Sequence, residues 1–213
     1  LRTTLFQITH EIKNPIAVCK GYLDMFDVNN PQHSKKYIPI MKEEIDTVLL
    51  LLEDYLSLNR VKLNKDILDI SMLLEDTLDK YDMIFKNRKI TTKVNLIDDE
   101  VYIDGDYNRL IQVFVNIIKN SIEALKENPL IEIWSQIIDK KIYIYFKDNG
   151  EGIPKDILEK IEEPFFTTKI KGTGLGVPLS KGIIEAHGGD IKYESDYGIY
   201  TLVTVSLPLA NLK

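Results

Sequence analysis

Apolar residues recur every three or four positions through the first quarter of this chain. Leu5, Ile8, Ile12, Ile16, Cys19, Leu23 and Phe26 form one series, and Ile38, Met41, Ile45, Val48, Leu52 and Tyr55 a second. Both fit a helical stripe with a repeat near 3.5 residues. Between them lies Asn29-Asn30-Pro31, where Asn30 suits a helix cap and Pro31 the first helical position. The spacing predicts a helical hairpin, from Leu1 to about Phe26 and from about Pro31 to Leu58. A lone hairpin leaves its stripe open to water. Pairing through residues 1–58 with a second copy buries both stripes in a dimeric four-helix bundle, and their length favours this over packing on the rest of the chain. His10 falls off the stripe, between Ile8 and Ile12, and is expected to face solvent.

The polar stretch Arg60–Lys65 leaves the helical period and reads as a hinge. This divides the chain into an all-α domain over 1–60, a hinge over 61–65 and a mixed domain over 66–213. In the mixed part, Ser71 suits the cap of a helix running to about Asn87, with Glu75 and Asp76 near its start. Ile90–Ile97 and Val101–Asp104 read as strands, Tyr107–Glu127 as a helix, and Leu130–Ile138 and Lys141–Lys147 as alternating strands. A helix over Leu175–His187 stops at Gly188-Gly189, and strands over Asp190–Ser195 and Tyr200–Leu207 follow. Helices on one face of a mostly antiparallel sheet make an α+β sandwich.

Composition narrows the function. The formal charge of −6 argues against a general nucleic-acid binder. No apolar run reaches the roughly 18 residues needed to span a bilayer. The opening Leu1-Arg2-Thr3-Thr4 reads as the interior of something longer, so membrane attachment would come only through a preceding sensor region. This stretch itself is expected in the cytoplasm. The single cysteine, Cys19, excludes an internal disulfide, and three histidines with one cysteine argue against a zinc cluster.

Four polar segments and one glycine run carry the chemistry. In His10-Glu11-Ile12-Lys13-Asn14-Pro15, the proline forfeits the helical bond to the Glu11 carbonyl, at a cost of about 3 kcal/mol. Asn14 lies one turn from His10, and Glu11 can orient the imidazole or take its proton. Asn116, Asn120 and Glu123 share one side of a helix, where amide oxygens can ligate a hard cation such as Mg2+ and Lys119 can meet phosphate charge. Asp148-Asn149-Gly150-Glu151-Gly152 follows a strand. A carboxylate there can accept from an exocyclic amine, which adenine has and guanine replaces with a carbonyl. Pro164-Phe165-Phe166-Thr167-Thr168-Lys169 joins an aromatic anchor to a lysine, with Lys171 beyond, as a mobile lid would. In Gly172-Thr173-Gly174-Leu175-Gly176, glycines permit close backbone approach ahead of a helix N-terminus that suits phosphate. Singly, each segment also has a plainer reading: a solvated helix face, a strand-to-helix turn, solvated loop lysines, a common glycine turn.

Together the five segments resemble, in order and spacing, the transmitter core of bacterial sensor histidine kinases. They match its H, N, G1, F and G2 boxes, with a general similarity to sporulation-type kinases. The resemblance implies a dimerisation and phosphotransfer hairpin followed by a Bergerat ATP-binding fold, with ATP and Mg2+ as cofactors and a response-regulator receiver domain as partner. It implies His10 as phospho-acceptor, Glu11 as base, and Asn14 as a residue orienting water in phosphatase action. Asn120 would ligate Mg2+, with Asn116 and Lys119 on the phosphate side. Asp148 would read the adenine amine from the turn carrying Gly150 and Gly152. Thr168, Lys169, Gly172, Thr173, Gly174, Leu175 and Gly176 would shape lid and phosphate loop. Two positions depart from the family pattern: Glu162, where Phe often stands, and Val177-Pro178, where Leu-Ser or Leu-Ala is more frequent. A clamp-type ATPase of the same fold would lack the exposed histidine segment.

Overall fold

Asn30 and Pro31 set the hairpin. The Asn30 side-chain oxygen accepts the Gln32 N–H at 3.1 Å, and the second helix starts at Pro31. The structure, a computed structural model, describes residues 2–59, 63–97, 100–169 and 172–211, with side chains from Ile8 to Leu56 within the hairpin. It divides into two units: Leu1–Arg60 with Glu163–Leu175, and Val61–Glu162 with Gly176–Lys213. Arg60, Val61 and Lys62 of the expected hinge, Lys171 of the expected lid, and the Leu5 side chain lie outside the described residues.

In the first unit, α1 spans Arg2–Asp24 and α2 spans Pro31–Asn59. The helix α1 ends before Phe26. Beyond Asp24 the backbone turns, and the Asp27 N–H is taken by His33 Nδ1 at 3.1 Å. The ring of His33 lies 4.7 Å from Tyr37, and Tyr37 lies 5.0 Å from Tyr22, so an aromatic cluster fastens the turn. Ile8, Pro15 and Leu51 are buried, whereas Ile16, Leu23, Ile45 and Leu56 stay more than half exposed at 53%, 61%, 52% and 63%. Such a run of open apolar side chains on one hairpin is the mark of an association surface. Among the described residues, no helix is long and apolar enough to cross a membrane.

The second unit holds β1 (Asp66–Asp69), α3 (Ile70–Asp79), α4 (Asp82–Asn87), β2 (Thr91–Asn95), β3 (Tyr102–Gly105) and α5 (Tyr107–Ala124). It continues through β4 (Leu130–Ile138), β5 (Lys141–Asp148), α6 (Lys155–Leu158), α7 (Gly176–Ala186), β6 (Asp190–Asp196) and β7 (Tyr200–Pro208). Five strands form a mixed sheet in the order β2-β4-β5-β7-β6, antiparallel except for the parallel pair β2–β4. Strict alternation sends Ile142, Ile144, Phe146, Val203, Val205 and Leu207 to one face. There they join Leu110, Phe114, Ile117 and Ile118 of α5 and Leu179, Ile183 and Ile184 of α7 in the core. Phe114 and Phe146 meet with ring centroids 5.6 Å apart. Each such side chain, fully buried, stabilises by roughly 2 kcal/mol. The α+β sandwich is as expected.

Several local expectations change. The cap of α3 is Asp69, not Ser71: the Asp69 carboxylate accepts the Ser71 N–H at 2.9 Å. The helix expected to reach Asn87 breaks at Lys80-Tyr81, where the Tyr81 N–H turns back to the Leu78 carbonyl. An unanticipated strand, β1, pairs antiparallel with β3 in a small second sheet. That sheet is joined to the chain's end by the Ile103–Leu209 bridge and by the Ala210 N–H donating to the Tyr102 carbonyl at 2.8 Å. The helix α5 stops at Ala124 because Leu125 is extended, and the Ala124 carbonyl is taken by the Glu151 N–H at 2.9 Å. This last bond seats the turn after β5 on the end of α5.

Candidate functional site

Asp148 ends β5 and is only 2% exposed. Its carboxylate accepts the Gly150 N–H at 3.0 Å, the Ser121 hydroxyl and the Thr201 backbone N–H. Burial pushes its pKa above the usual carboxylate value, and these three bonds pull it back only in part. The turn that follows is held from both sides. The Gly198 N–H donates to the Glu151 carbonyl at 2.6 Å, and the Ile153 N–H donates to Ser195 Oγ at 2.7 Å. Gly152 is buried beside β6, and Pro154 caps the short α6. A fixed, buried carboxylate at a strand end can accept a hydrogen bond from an amine edge.

Asn116, Lys119 and Asn120 project from α5, whose opposite face is buried. Lys119 is exposed, and Asn116 and Asn120 are half-buried. Asn116 Nδ2 donates to Ser180 Oγ at 3.0 Å, while its Oδ1 faces Gly176, the first residue of α7. A Cβ at Gly176 would lie 2.5 Å from that oxygen, so any larger residue there would push the Asn116 amide aside. Among the described residues, no three His, Cys, Asp or Glu side chains could hold a metal ion together. The donors on offer are amide oxygens, a neutral and incomplete set. It fits Mg2+, which takes few protein ligands and relies on substrate phosphates and water. Pro178 sits in the first turn of α7, where its missing N–H costs nothing. Glu162 pairs with Lys181 of α7, which gives the first departure from the family pattern a partner.

The remaining expected residues belong to the first unit. His10, Glu11 and Asn14 are exposed on α1, which continues through Pro15 to Asp24. In the loop, Thr168 and Lys169 are exposed and Leu175 is fully buried. Thr167 Oγ1 accepts the Lys169 N–H at 3.1 Å, and the Gly172 N–H donates to the Lys169 carbonyl at 3.2 Å. The Phe165 N–H donates to the Gly174 carbonyl at 2.9 Å. Gly174 takes φ +65° with the Phe165 backbone against it, so a side chain there is excluded by both conformation and space. Thr173 Oγ1 accepts the Leu175 N–H at 3.3 Å and donates to Asp54 of α2 at 3.5 Å.

Three residues of the second unit escaped sequence reasoning. Ser121 and Ser180 support Asp148 and Asn116. Their signal was a buried serine, a middling helix former, inside isoleucine-rich helices. His187, 3% exposed, accepts the Asp106 N–H at Nε2 and contacts the Ile183 carbonyl at 2.7 Å through Nδ1. Burial holds its pKa below the ordinary histidine value.

Comparison with known proteins places these features in a family. Residues 105–211 match the model of the histidine kinase-, DNA gyrase B-, and HSP90-like ATPase, and residues 2–64 match the His Kinase A (phospho-acceptor) domain. Sporulation kinase A of Bacillus subtilis is 34% identical over 203 residues, covering 94% of this chain and 33% of that protein. Sporulation kinase C of the same organism is 35% identical over 211 residues, covering 95% and 47%. The chain thus spans less than half the length of these curated relatives. Among solved structures, histidine kinase ThkA in complex with response regulator protein TrrA matches with a TM-score of 0.79 at 26% identity, covering 97% of this chain and 61% of that one. The catalytic domain of ThkA alone matches with a TM-score of 0.63 at 29% identity, covering 68% and 95%. The chain therefore belongs to the histidine kinase-, DNA gyrase B-, and HSP90-like ATPase family, with a hairpin that matches the His Kinase A (phospho-acceptor) domain and an overall similarity to sporulation kinases.

Proposed function

We propose that this chain is the core of an ATP-dependent protein-histidine autokinase of a two-component system. In this reading residues 1–60 form the dimerisation and phosphotransfer domain, 61–65 the hinge, and 66–213 the ATP-binding domain. What carries the reading is an exposed His10 with Glu11 and Asn14 beside it, on the same chain as a buried Asp148 fixed by three hydrogen bonds.

Asp148 accepts the adenine amine from the turn of Gly150 and Gly152. Lys119 meets phosphate charge, and the N-terminus of α7 at Gly176 offers unpaired N–H groups to it. Asn120 would hold Mg2+, with Asn116 nearby on the phosphate side, and the ion would supply charge neutralisation on the phosphates. The segment Thr168, Lys169 and Gly172–Leu175 closes over the nucleotide. An unprotonated imidazole nitrogen of His10 forms the bond to the γ-phosphorus as the bond to the bridging oxygen breaks, and ADP leaves with that electron pair. The proton on the other ring nitrogen passes to Glu11. The phosphoryl group then moves to an aspartate of a response-regulator receiver domain, and Asn14 orients water when the same surface removes it. The exposed stripe of Ile16, Leu23, Ile45 and Leu56 supports a homodimer.

Incubating the chain with labelled ATP and Mg2+ tests the reading. An acid-labile label is expected on the intact chain and none on His10→Gln. A label that survives His10→Gln rejects the phospho-acceptor. Steady ATP turnover with no labelled protein identifies a clamp-type ATPase instead.

A further inference from the structure

One amide spans the first turn of α7. Asn116 Nδ2 donates to Ser180 Oγ at 3.0 Å, and Asn116 Oδ1 lies against Gly176. Gly176 and Ser180 are four residues apart, so they stand one above the other on the helix surface. Ser180 is 2% exposed, on the buried face it shares with Leu179, Ile183 and Ile184. A carboxamide has two ends of similar shape and opposite character: the oxygen accepts, and the NH2 donates. An unrestrained amide can present either end. In this structure the donor end is occupied by a buried hydroxyl, and the acceptor end stays at the N-terminus of α7. Packing alone asks only for a small side chain at position 180. The bond to Asn116 asks for a hydroxyl.

We propose that Ser180 is a positioning residue that locks the Asn116 amide with its oxygen turned toward the nucleotide-bound divalent cation. This rests on the reading that Asn116 stands on the metal side of the triphosphate. Ser180 itself touches neither nucleotide nor metal. Its effect passes through one hydrogen bond, so its removal weakens the metal-dependent part of binding and spares the rest.

The test is ADP binding by the full chain, measured calorimetrically with Mg2+ and again with EDTA. Ser180→Ala is expected to weaken binding with Mg2+ roughly 3- to 10-fold, the value of one neutral hydrogen bond. Binding in EDTA should stay at the wild-type level. Ser180→Cys keeps the shape with a somewhat larger atom and offers only a weak acceptor. It should follow Ser180→Ala while keeping the wild-type melting midpoint, which separates positioning from folding. In an Asn116→Ala background, Ser180→Ala should add nothing. Wild-type Mg2+ binding in both Ser180 variants, equal weakening with and without Mg2+, or an additive effect in the double variant overturns the proposal. If Asn116→Ala itself leaves binding with Mg2+ unchanged, the metal-side reading of Asn116 falls, and this proposal with it. A defect in Asn116→Ala without one in Ser180→Ala removes the proposal alone.

Discussion

The backbone N–H of Asp106 donates to His187 Nε2 at 2.9 Å, tying the N-cap of α5 to the residue that follows α7. The same aspartate holds both neighbours. Its carboxylate accepts the Arg109 N–H at 3.1 Å and the Asn64 N–H at 2.9 Å. The stretch before β1, the start of α5 and the end of α7 therefore meet at one residue pair.

This knot predicts acid sensitivity. Burial is the main cause that lowers the His187 pKa; Lys65 adds to it, while the Ile183 carbonyl, Asp106 and Asp104 oppose it. The unfolded chain takes up the proton near the ordinary value of about 6.5, the folded chain only at lower pH. Stability is fully present above that value and is lost as pH falls below it. Burial alone would raise the Asp106 pKa. The Asn64 and Arg109 N–H bonds and the nearby positive charges outweigh it, so its own loss comes only at still lower pH. Thermal melts between pH 8 and 5 should show a falling midpoint. His187→Gln should melt lower at pH 8, with a flatter slope between pH 7 and 5. An unchanged slope refutes the assignment to His187.

Autophosphorylation should depend on Glu11 through rate, not affinity. Glu11→Gln is expected to lower the rate by about 100-fold or more, the usual share of a general base, with ATP binding unchanged. Labelling time courses and nucleotide titrations of the same variant separate the two quantities.

Asp148→Asn should weaken ATP binding by roughly 10- to 100-fold, the range for a lost hydrogen bond to a charged group. Its stability should move the other way. The raised pKa means that the ionised carboxylate costs stability at neutral pH, a contribution recovered as pH falls. The melting midpoint at pH 7 is therefore expected to equal or exceed that of the parent chain, as scanning calorimetry would show. A lower midpoint would mean that Asp148 serves the fold first.

Gly174→Ala places a methyl group against the Phe165 backbone at a φ of +65°. The turn must rearrange, at a cost of order 1–3 kcal/mol. Because this strain sits in a loop outside the sheet core, autophosphorylation should fall while the main unfolding transition holds. Parallel kinase assays and circular-dichroism melts check this.

Ile45→Glu puts a charge into the open apolar stripe of the hairpin. The chain should shift from dimer to monomer by sedimentation at micromolar concentration, with its helical content kept. A dimer that persists would place the interface elsewhere.

Local chemistry was the legible part of the sequence. Asn30-Pro31 marked the start of α2, and the alternation over Leu130–Ile138 marked β4 at both ends. Ser71 misled because Asp69, two residues earlier, is an equally good cap and is already held extended by β1. The strand β1 was invisible because its four residues carry aspartate at each end and owe their conformation to β3. The site was legible as segments, each residue type matching its chemistry. Its supports were not. Ser180 and Asn116 are 64 positions apart, and His187 and Asp106 are 81 apart, distances that no local pattern spans.

The position of β7 has a consequence for synthesis. This strand, the last of its sheet in chain order, lies between β5 and β6, and it pairs with both. Until about residue 208 has left the ribosome, β6 lacks its neighbour and the apolar face of β5 is only partly closed. The ATP-binding unit must wait as an open intermediate, exposed to chaperones and proteases, while the hairpin made before it is free to form its helices from local contacts alone.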